Sequence, residues 1–265
     1  MKTFFYKPTD IAPLIVFRIF FGFLIACESF GAILTGWVYR NLVSSKITFN
    51  FIGLDFLQSI RQGNTMYFYF AIMGILGLFI MLGFKYKIAI SLYTLLWAGA
   101  YLMQKTAYNN HYYLLLIISF LMVFFPANKS HSLDVKYGFV KKENTMPIWV
   151  VFTLIFQITI VYFFAALAKF YPDWLNGTFT KNLLVSSTTN LFFLKLFSQK
   201  WFYLFIAYAG IAFDLLIIPL LLCKKTRTFA LIASLIFHIF NAITLEIGIF
   251  PFFALTFALF FYNPL

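Results

Sequence analysis

Long apolar runs dominate the chain, and short polar segments separate them. A helix needs about 20 apolar residues to cross the hydrocarbon core of a bilayer. Most of the runs are too long for barrel strands, and they lack the alternation of apolar and polar residues that such strands show. The predicted spans are 12–38, 66–84, 88–103, 112–125, 148–168, 201–223, 229–242 and 247–262. We therefore predict an all-α, polytopic integral membrane helix bundle of about eight transmembrane helices. It forms one domain over residues 1–265, with no soluble domain.

Composition supports this prediction. Of the 265 residues, 63% are hydrophobic, 23% aromatic and only 11% charged, whereas an average soluble domain is about 25% charged. This composition excludes a soluble globular enzyme, a disordered chain and a nucleic-acid-binding domain, so the expected surroundings are a lipid bilayer. Lys2 and Lys7 precede the first run, but Arg18 interrupts it, so the N-terminus is not predicted to be a cleavable signal.

The net charge of +12 is interpreted as basic loop ends facing anionic lipid headgroups. With the N-terminus in the cytoplasm, the inner loops are shorter and denser in Lys and Arg, which favours this orientation. The segments 104–111 and 169–200 then lie on the outer face. The two cysteines, Cys27 and Cys223, lie in or at the end of apolar runs and indicate neither a disulfide nor a metal site.

Polar side chains within apolar spans are costly, and many are functional. The candidates are Arg18, Glu28, His111, Asp214, His238 and Glu246. Each could instead form an ion pair or hydrogen bond that fixes helix packing. For Arg18, Glu28 and Asp214 we favour this structural interpretation.

The segment 104–113 concentrates polar and aromatic groups between two apolar helices. It contains a lysine, the amides Asn109 and Asn110, His111 and three tyrosines, one of them Tyr112. The amides could orient the imidazole while the rings flank a flat ligand. An interfacial belt of aromatic residues around a turn explains the composition equally well.

Lys169 ends an apolar run of about 21 residues. A lysine at this position often extends to the lipid headgroups. Alternatively the amine is partly desolvated, which favours its neutral form and makes it a useful base. Asp173 is close enough in sequence to interact with it and oppose that effect. Pro172 predicts that the helix ends at Tyr171.

His238 and Asn241 are spaced i, i+3 and therefore share one helix face. Such a pair could position a ligand or bond to a neighbouring helix. The sequence shows no HExxH, no Gly-rich phosphate loop and no Cys/His metal spacing, so no metal site is predicted.

These three segments, in this order, resemble the vitamin K-dependent γ-carboxylase superfamily, whose membrane part is called the HTTM domain. The resemblance extends over nearly the whole chain. The matching stretches are Phe17–Gly22, Met81–Lys87, Lys105–Leu114, Ala127–Asp134, Ile160–Trp174 and Phe237–Gly248.

The resemblance implies a specific chemistry. The lysine at the position of Lys169 deprotonates a reduced vitamin K or menaquinone-type hydroquinone, and the anion reacts with O2. The oxygenated product removes a γ-proton from glutamate, CO2 adds to the carbanion, and the quinone epoxide is released. His111 would stabilise the developing anion with Asn110 beside it, and His238 matches a histidine of the membrane pocket.

We expect Lys169, His111 and His238 to converge on one pocket near the outer leaflet. Lys169 and His111 are the predicted catalytic residues. The residues assigned to quinone binding are Asn109, Asn110, Tyr112, His238 and Asn241. The aromatic residues expected to wall the site are Tyr108, Tyr112, Tyr113, Phe163, Phe170 and Phe240.

The sequence also departs from the family. No stretch corresponds to the large extra-membrane region that binds the propeptide and the glutamate substrate, and Gln104, Ala166 and Glu246 replace residues common in the family. The predicted function is that of a carboxylase-like enzyme (a lyase) of the bacterial inner membrane that deprotonates and oxygenates a reduced quinone to the epoxide. Coupled carboxylation would need a small glutamate-containing peptide or a partner protein. The alternative is a quinone- or lipid-binding membrane protein that does not carboxylate. A channel or transporter has less support, since no internal repeat is visible.

Overall fold

The computed structural model describes residues 2–45, 49, 51–61, 63–107, 109–244 and 248–262, without the side chains of residues 2 and 3. The chain forms two compact units, Met1–Pro147 and Ile148–Leu265. Tyr108 and Glu246, which the sequence singles out, lie outside the described residues.

In the described part of unit 1, four long helices form the framework. Its α-helices are α1 (Lys2–Phe5), α2 (Ala12–Leu34), α3 (Thr65–Leu82), α4 (Tyr86–Met103), α5 (Asn110–Phe124) and α6 (Leu133–Lys136). A π-helical turn spans Tyr39–Val43, and 3-10 turns span Asp55–Arg61 and Lys105–Ala107. Strands β1 (Pro8–Asp10) and β2 (Thr145–Pro147) pair antiparallel, with Thr9 opposite Met146.

Among its described residues, unit 2 contains three long helices, several shorter ones and a 3-10 turn, Phe257–Phe261. The α-helices are α7 (Trp149–Leu167), α8 (Pro172–Leu175), α9 (Thr178–Ser186), α10 (Leu191–Phe197), α11 (Lys200–Leu222), α12 (Arg227–Thr244) and α13 (Phe250–Thr256). Helix α11 packs against both α7 and α12.

The protein is an all-α membrane helix bundle, as the apolar runs predict. Within the described residues, five helices are long and apolar enough to cross a membrane: α2, α3, α7, α11 and α12. The remaining predicted spans correspond to α4, α5 and the stretch from α13 to the last turn. The first predicted span runs too far, because α2 ends at Leu34 and Gly36 adopts a left-handed φ of 74°, a conformation that glycine adopts without steric cost.

Helices α2 and α3 approach closely because glycines face each other at their contact. A Cβ atom at Gly22 would lie 2.3 Å from the backbone nitrogen of Met81, and one at Gly77 would lie 2.8 Å from that of Ala26. Small residues let helix backbones approach in this way inside a membrane, where van der Waals packing has to replace the hydrophobic effect.

A network around Arg18 joins α2 to the loop after α5. Arg18 is 1% exposed, and its guanidinium donates to the carbonyl of Ala127 at 2.9 Å and to that of His131 at 2.6 Å. His131 itself adopts a left-handed φ of 43°. Of the two structural roles expected for Arg18, an ion pair or a hydrogen bond, it takes the second, and its bonds to backbone carbonyls satisfy polar groups that lipid could not.

Asp134 fixes the start of α4 beside this network. Its carboxylate accepts from the backbone of Lys85 at 2.7 Å, from the backbone of Tyr86 at 3.1 Å and from the side chain of Asn128 at 2.8 Å. Lys87 on the same helix donates to the carbonyls of Val123 and Phe125, which end α5. Both side chains satisfy helix termini whose backbone groups have no partner within the helix.

The contact between α2 and α3 yields a stability prediction. Gly22→Ala should destabilise the protein by about 1–3 kcal/mol, because the added methyl meets rigid backbone atoms. The measurement is thermal unfolding of the detergent-solubilised chain, followed by tryptophan fluorescence. Gly31→Ala on the same helix is the matched control, since nothing lies within 4 Å of its Cβ position. Equal melting temperatures for the two variants would contradict the close approach.

Candidate functional site

Lys169 lies immediately beyond the end of α7. The helix stops at Leu167 and not at Tyr171 as predicted, because Lys169 and Phe170 enter a turn through bonds to the carbonyls of Ala166 and Leu167. Tyr171 is extended, as the residue before a proline favours, and Pro172 begins α8. The turn returns the chain towards α11, which α8 contacts.

The amine of Lys169 forms an ion pair with Asp214 of α11. The side chain of Lys169 is 17% exposed and that of Asp214 is 3% exposed, so the carboxylate is the more deeply buried partner. Among the described residues no ion pair joins Lys169 to Asp173, the nearer candidate in sequence. The structural interpretation of Asp214 is therefore correct in one respect, since it forms an interhelical ion pair.

The surroundings of Lys169 also favour its charged form. Its Nζ atom lies 5.1 Å from the centroid of the Trp174 ring, a distance at which a cation and an aromatic face attract. The indole nitrogen of Trp174 donates to the carbonyl of Ala207 at 3.0 Å, so α11 positions this ring. Gly210, one turn before Asp214, lies beside both side chains, since a Cβ there would be in ordinary van der Waals contact with the indole at 3.7 Å and with the lysine stem at 3.8 Å.

His238 lies in the core of unit 2 and pairs with Tyr162 of α7. The two are 2% and 7% exposed, and the hydroxyl of Tyr162 lies 2.9 Å from Nε2 of His238. Phe213 of α11 and Phe237 of α12 stack at 3.8 Å beside them. Among the described residues, the buried Nδ1 atom of His238 has no hydrogen-bond partner.

A series of interactions crosses unit 2. It runs from Lys169 to Asp214 of α11, then to Tyr162 of α7 and on to His238 of α12. Tyr162 lies on α7 itself, and Lys169 lies in the turn just beyond the end of this helix. Tyr162 also lies near enough to Asp214 for the two to interact electrostatically. Asn241, predicted to act with His238, lies on the next turn of α12 and is half-buried.

The second cluster lies in unit 1 at the start of α5. Asn109 caps this helix, since its side-chain oxygen accepts from the backbone nitrogen of His111 at 2.7 Å. This contact fixes the backbone at the histidine, whereas the sequence suggested that the amides orient its ring. Asn110 is exposed and His111 half-buried.

Tyr112 connects this cluster to α2. Its hydroxyl donates to Glu28 at 2.8 Å, and its carbonyl accepts from the indole of Trp97 at 3.1 Å. Tyr112, Glu28, Trp37 and Trp97 line a cavity. The cavity measures about 20 Å³, which is room for about one water molecule, and it does not hold a quinone ring.

The structure also shows where other residues singled out by the sequence lie. Gln104 is 3% exposed and accepts from the backbone of Phe49 at 3.0 Å, so it secures a loop at that position. Tyr113, Phe163 and Phe170 are exposed in their units, whereas Phe240 is half-buried. Among the described residues no group of three or more His, Cys, Asp or Glu could hold a metal ion.

Sequence reasoning missed Tyr162 as a partner of His238 and did not pair Lys169 with Asp214. The first pairing joins residues 76 positions apart, and no spacing in the sequence signals it. No sequence signal identifies the second, because the partners are 45 positions apart.

A known protein family matches the chain. The model of the HTTM domain family matches residues 6–264, essentially the whole chain. This domain is associated with the vitamin K-dependent carboxylase superfamily. No solved structure matches the chain.

The ion pair yields a prediction on stability. Lys169→Met and Asp214→Asn should each destabilise the protein, because each leaves one charge buried without its partner. The double variant should lose less free energy of unfolding than the two single variants lose together. The difference, measured in a thermal unfolding cycle, should be a coupling free energy of about 1–3 kcal/mol.

The control for this cycle is the pair Lys129 and Glu143, whose side chains are 31% and 47% exposed. For such an exposed pair, Lys129→Met and Glu143→Gln should couple by less than about 1 kcal/mol. Coupling of the same size in both cycles would show that burial adds nothing to the pair of Lys169 and Asp214.

Proposed function

Since this chain belongs to the HTTM domain family, we propose that it is a membrane enzyme that deprotonates a reduced quinone and oxygenates it to the epoxide. The substrate is a vitamin K or menaquinone-type hydroquinone, with O2 as the oxidant. Coupled glutamate carboxylation consumes CO2. A bound hydroquinone supplies the electrons for this chemistry and a hydroxyl proton for the protein to remove.

The observation that carries the proposal is the partly buried amine of Lys169 at the end of an apolar helix. The ion pair with Asp214 and the ring of Trp174 hold this amine in place. An amine at the edge of a membrane helix can meet the polar head of a substrate whose tail lies in lipid. We assign to Lys169 the removal of the hydroquinone proton.

A buried ring nitrogen of His238 supports the proposal of a ligand in unit 2. A buried polar atom without a partner costs free energy, and Nδ1 of His238 is such an atom among the described residues. A quinone oxygen would supply the missing partner. Tyr162 on the opposite ring nitrogen fixes the ring for this contact, and the amide of Asn241 on the next turn offers a second polar group.

We assign to His111 in unit 1 the stabilisation of negative charge on the substrate oxygen, with Asn110 beside it. Asn109 uses its oxygen to cap α5, so its role towards a quinone is donation from its amide NH2 group. Tyr112 uses its hydroxyl on Glu28 and so offers the face of its ring.

The proposal includes a location and a partner. The chain is placed in the inner membrane of a bacterium with its N-terminus in the cytoplasm, and Lys169 and His111 face outward. The carboxylated partner would be a small glutamate-containing peptide or a separate protein. The denser Lys and Arg of the inner loops support this orientation.

The proposal predicts measurable turnover. The purified chain should convert vitamin K hydroquinone to the epoxide in the presence of O2. Lys169→Ala should lower kcat by about 100-fold or more, the usual contribution of a general base. His111→Ala should lower it by about 100-fold, as the loss of a charge-stabilising donor does. Product formation is followed by chromatography of the extracted quinones.

Lys181→Ala is the matched control, because Lys181 is an exposed lysine of α9, and its activity should equal that of the wild type. A wild type that binds but does not consume hydroquinone would favour a non-carboxylating quinone- or lipid-binding protein. Equal activity of Lys169→Ala and wild type would remove Lys169 from the mechanism.

A further inference from the structure

The pairing of Lys169 raises a chemical problem for the assignment of a base. The carboxylate of Asp214 and the ring face of Trp174 both favour the ammonium form of the lysine. An ammonium has no lone pair and cannot accept a proton. A proton taken from the substrate therefore needs a second acceptor behind the amine.

Asp214 is that acceptor by its position. It forms the ion pair directly with Nζ of Lys169, and its side chain is 3% exposed against 17% for the lysine. A substrate that approaches from the surface of the unit therefore meets the amine before the carboxylate. Asp173, the other described acidic residue of unit 2, is exposed, and no ion pair joins it to Lys169.

We propose that Asp214 is the final acceptor of the hydroquinone proton and that Lys169 relays it while remaining an ammonium. This inference rests on the function proposed above. The O–H bond of the substrate breaks and its proton joins Nζ of Lys169, as another proton of that ammonium passes to Oδ2 of Asp214. The net change is one carboxylate protonated and one hydroxyl deprotonated, with no electrons exchanged and the total charge unchanged.

The relay places charge where the reaction needs it. Before the transfer the ammonium is neutralised by Asp214. After the transfer Asp214 is uncharged, so the positive charge of Lys169 faces the substrate oxyanion alone. A neutral lysine acting as a simple base would reach the same final charges on itself and the substrate, but it would leave Asp214 ionised and competing for the ammonium. The two schemes therefore differ in the protonation state of Asp214.

They also predict opposite effects of Asp214→Asn. If a neutral amine is the base, removal of the counter-ion favours that neutral form, so activity stays the same or rises. If Asp214 is the acceptor, its removal lowers kcat by about 100-fold or more with little change in KM. Asp214→Glu keeps a carboxylate and should retain activity within about tenfold of the wild type. Asp173→Asn is the matched control and should behave as the wild type.

The test has two arms on the full chain in detergent. In the first, vitamin K hydroquinone is added without O2, so that deprotonation is not followed by oxygenation, and infrared difference spectra are recorded. A protonated carboxylic acid band should appear in the wild type and in Asp173→Asn. It should be absent in Asp214→Asn and shifted in Asp214→Glu. In the second arm, epoxide formation with O2 is measured for the same variants across pH.

The outcomes separate the two proposals. Wild-type turnover without the acid band, or Asp214→Asn as active as the wild type, overturns the relay and leaves the proposed function standing. An acid band without epoxide formation supports the relay and overturns the oxygenation. If the wild type shows neither the acid band nor turnover, both proposals are overturned. If Asp214→Asn does not fold, the wild-type band and its shift in Asp214→Glu decide the question.

Discussion

A charge placed in lipid has to find its partner inside the protein, because the surrounding hydrocarbon offers none. The described structure satisfies this constraint in three ways. Arg18 binds backbone carbonyls, Glu28 accepts from the hydroxyl of Tyr112, and Asp214 pairs with Lys169. Each contact joins segments distant in sequence, so these charges also determine which parts of a unit lie side by side.

For Lys169 the same constraint affects chemistry. The contacts that make the amine tolerable in an apolar setting also stabilise its charged form, and a charged amine is a poor base. A lysine in such a position is therefore better suited to transfer a proton onward, or to hold an anion, than to retain a proton itself. Under the proposed relay, Asp214 has both roles: it neutralises the buried charge of Lys169 and then accepts the proton that the lysine passes on.

The sequence predicted the long helices well, but it did not predict which polar side chains contact one another. Apolar runs identify helices because the length of a run reflects the thickness of the bilayer, and α7 and α11 agree with the apolar runs 148–168 and 201–223 to within one residue at each end. The helix end predicted from Pro172 was wrong, since α7 stops at Leu167. The end of α2 was misplaced because Gly36 stops the helix inside an apolar run. The short helices between α7 and α11 were not predicted. The pairing of Lys169 with Asp214 could not be predicted, because it depends on how α7 and α11 pack.

The segments that carry the family resemblance contain residues with structural bonds and residues assigned to quinone binding. The two terminal nitrogens of Arg18 and the carboxylate of Asp134 bond to backbone atoms, which accounts for both residues as structural elements of unit 1, although Nε of Arg18 is buried with no partner among the described residues. Asn109 belongs partly with these, since its oxygen caps α5. One ring nitrogen of His238 is held by Tyr162, and the other is buried with no partner among the described residues. Under the proposed function, a quinone oxygen would supply the partner that this nitrogen lacks.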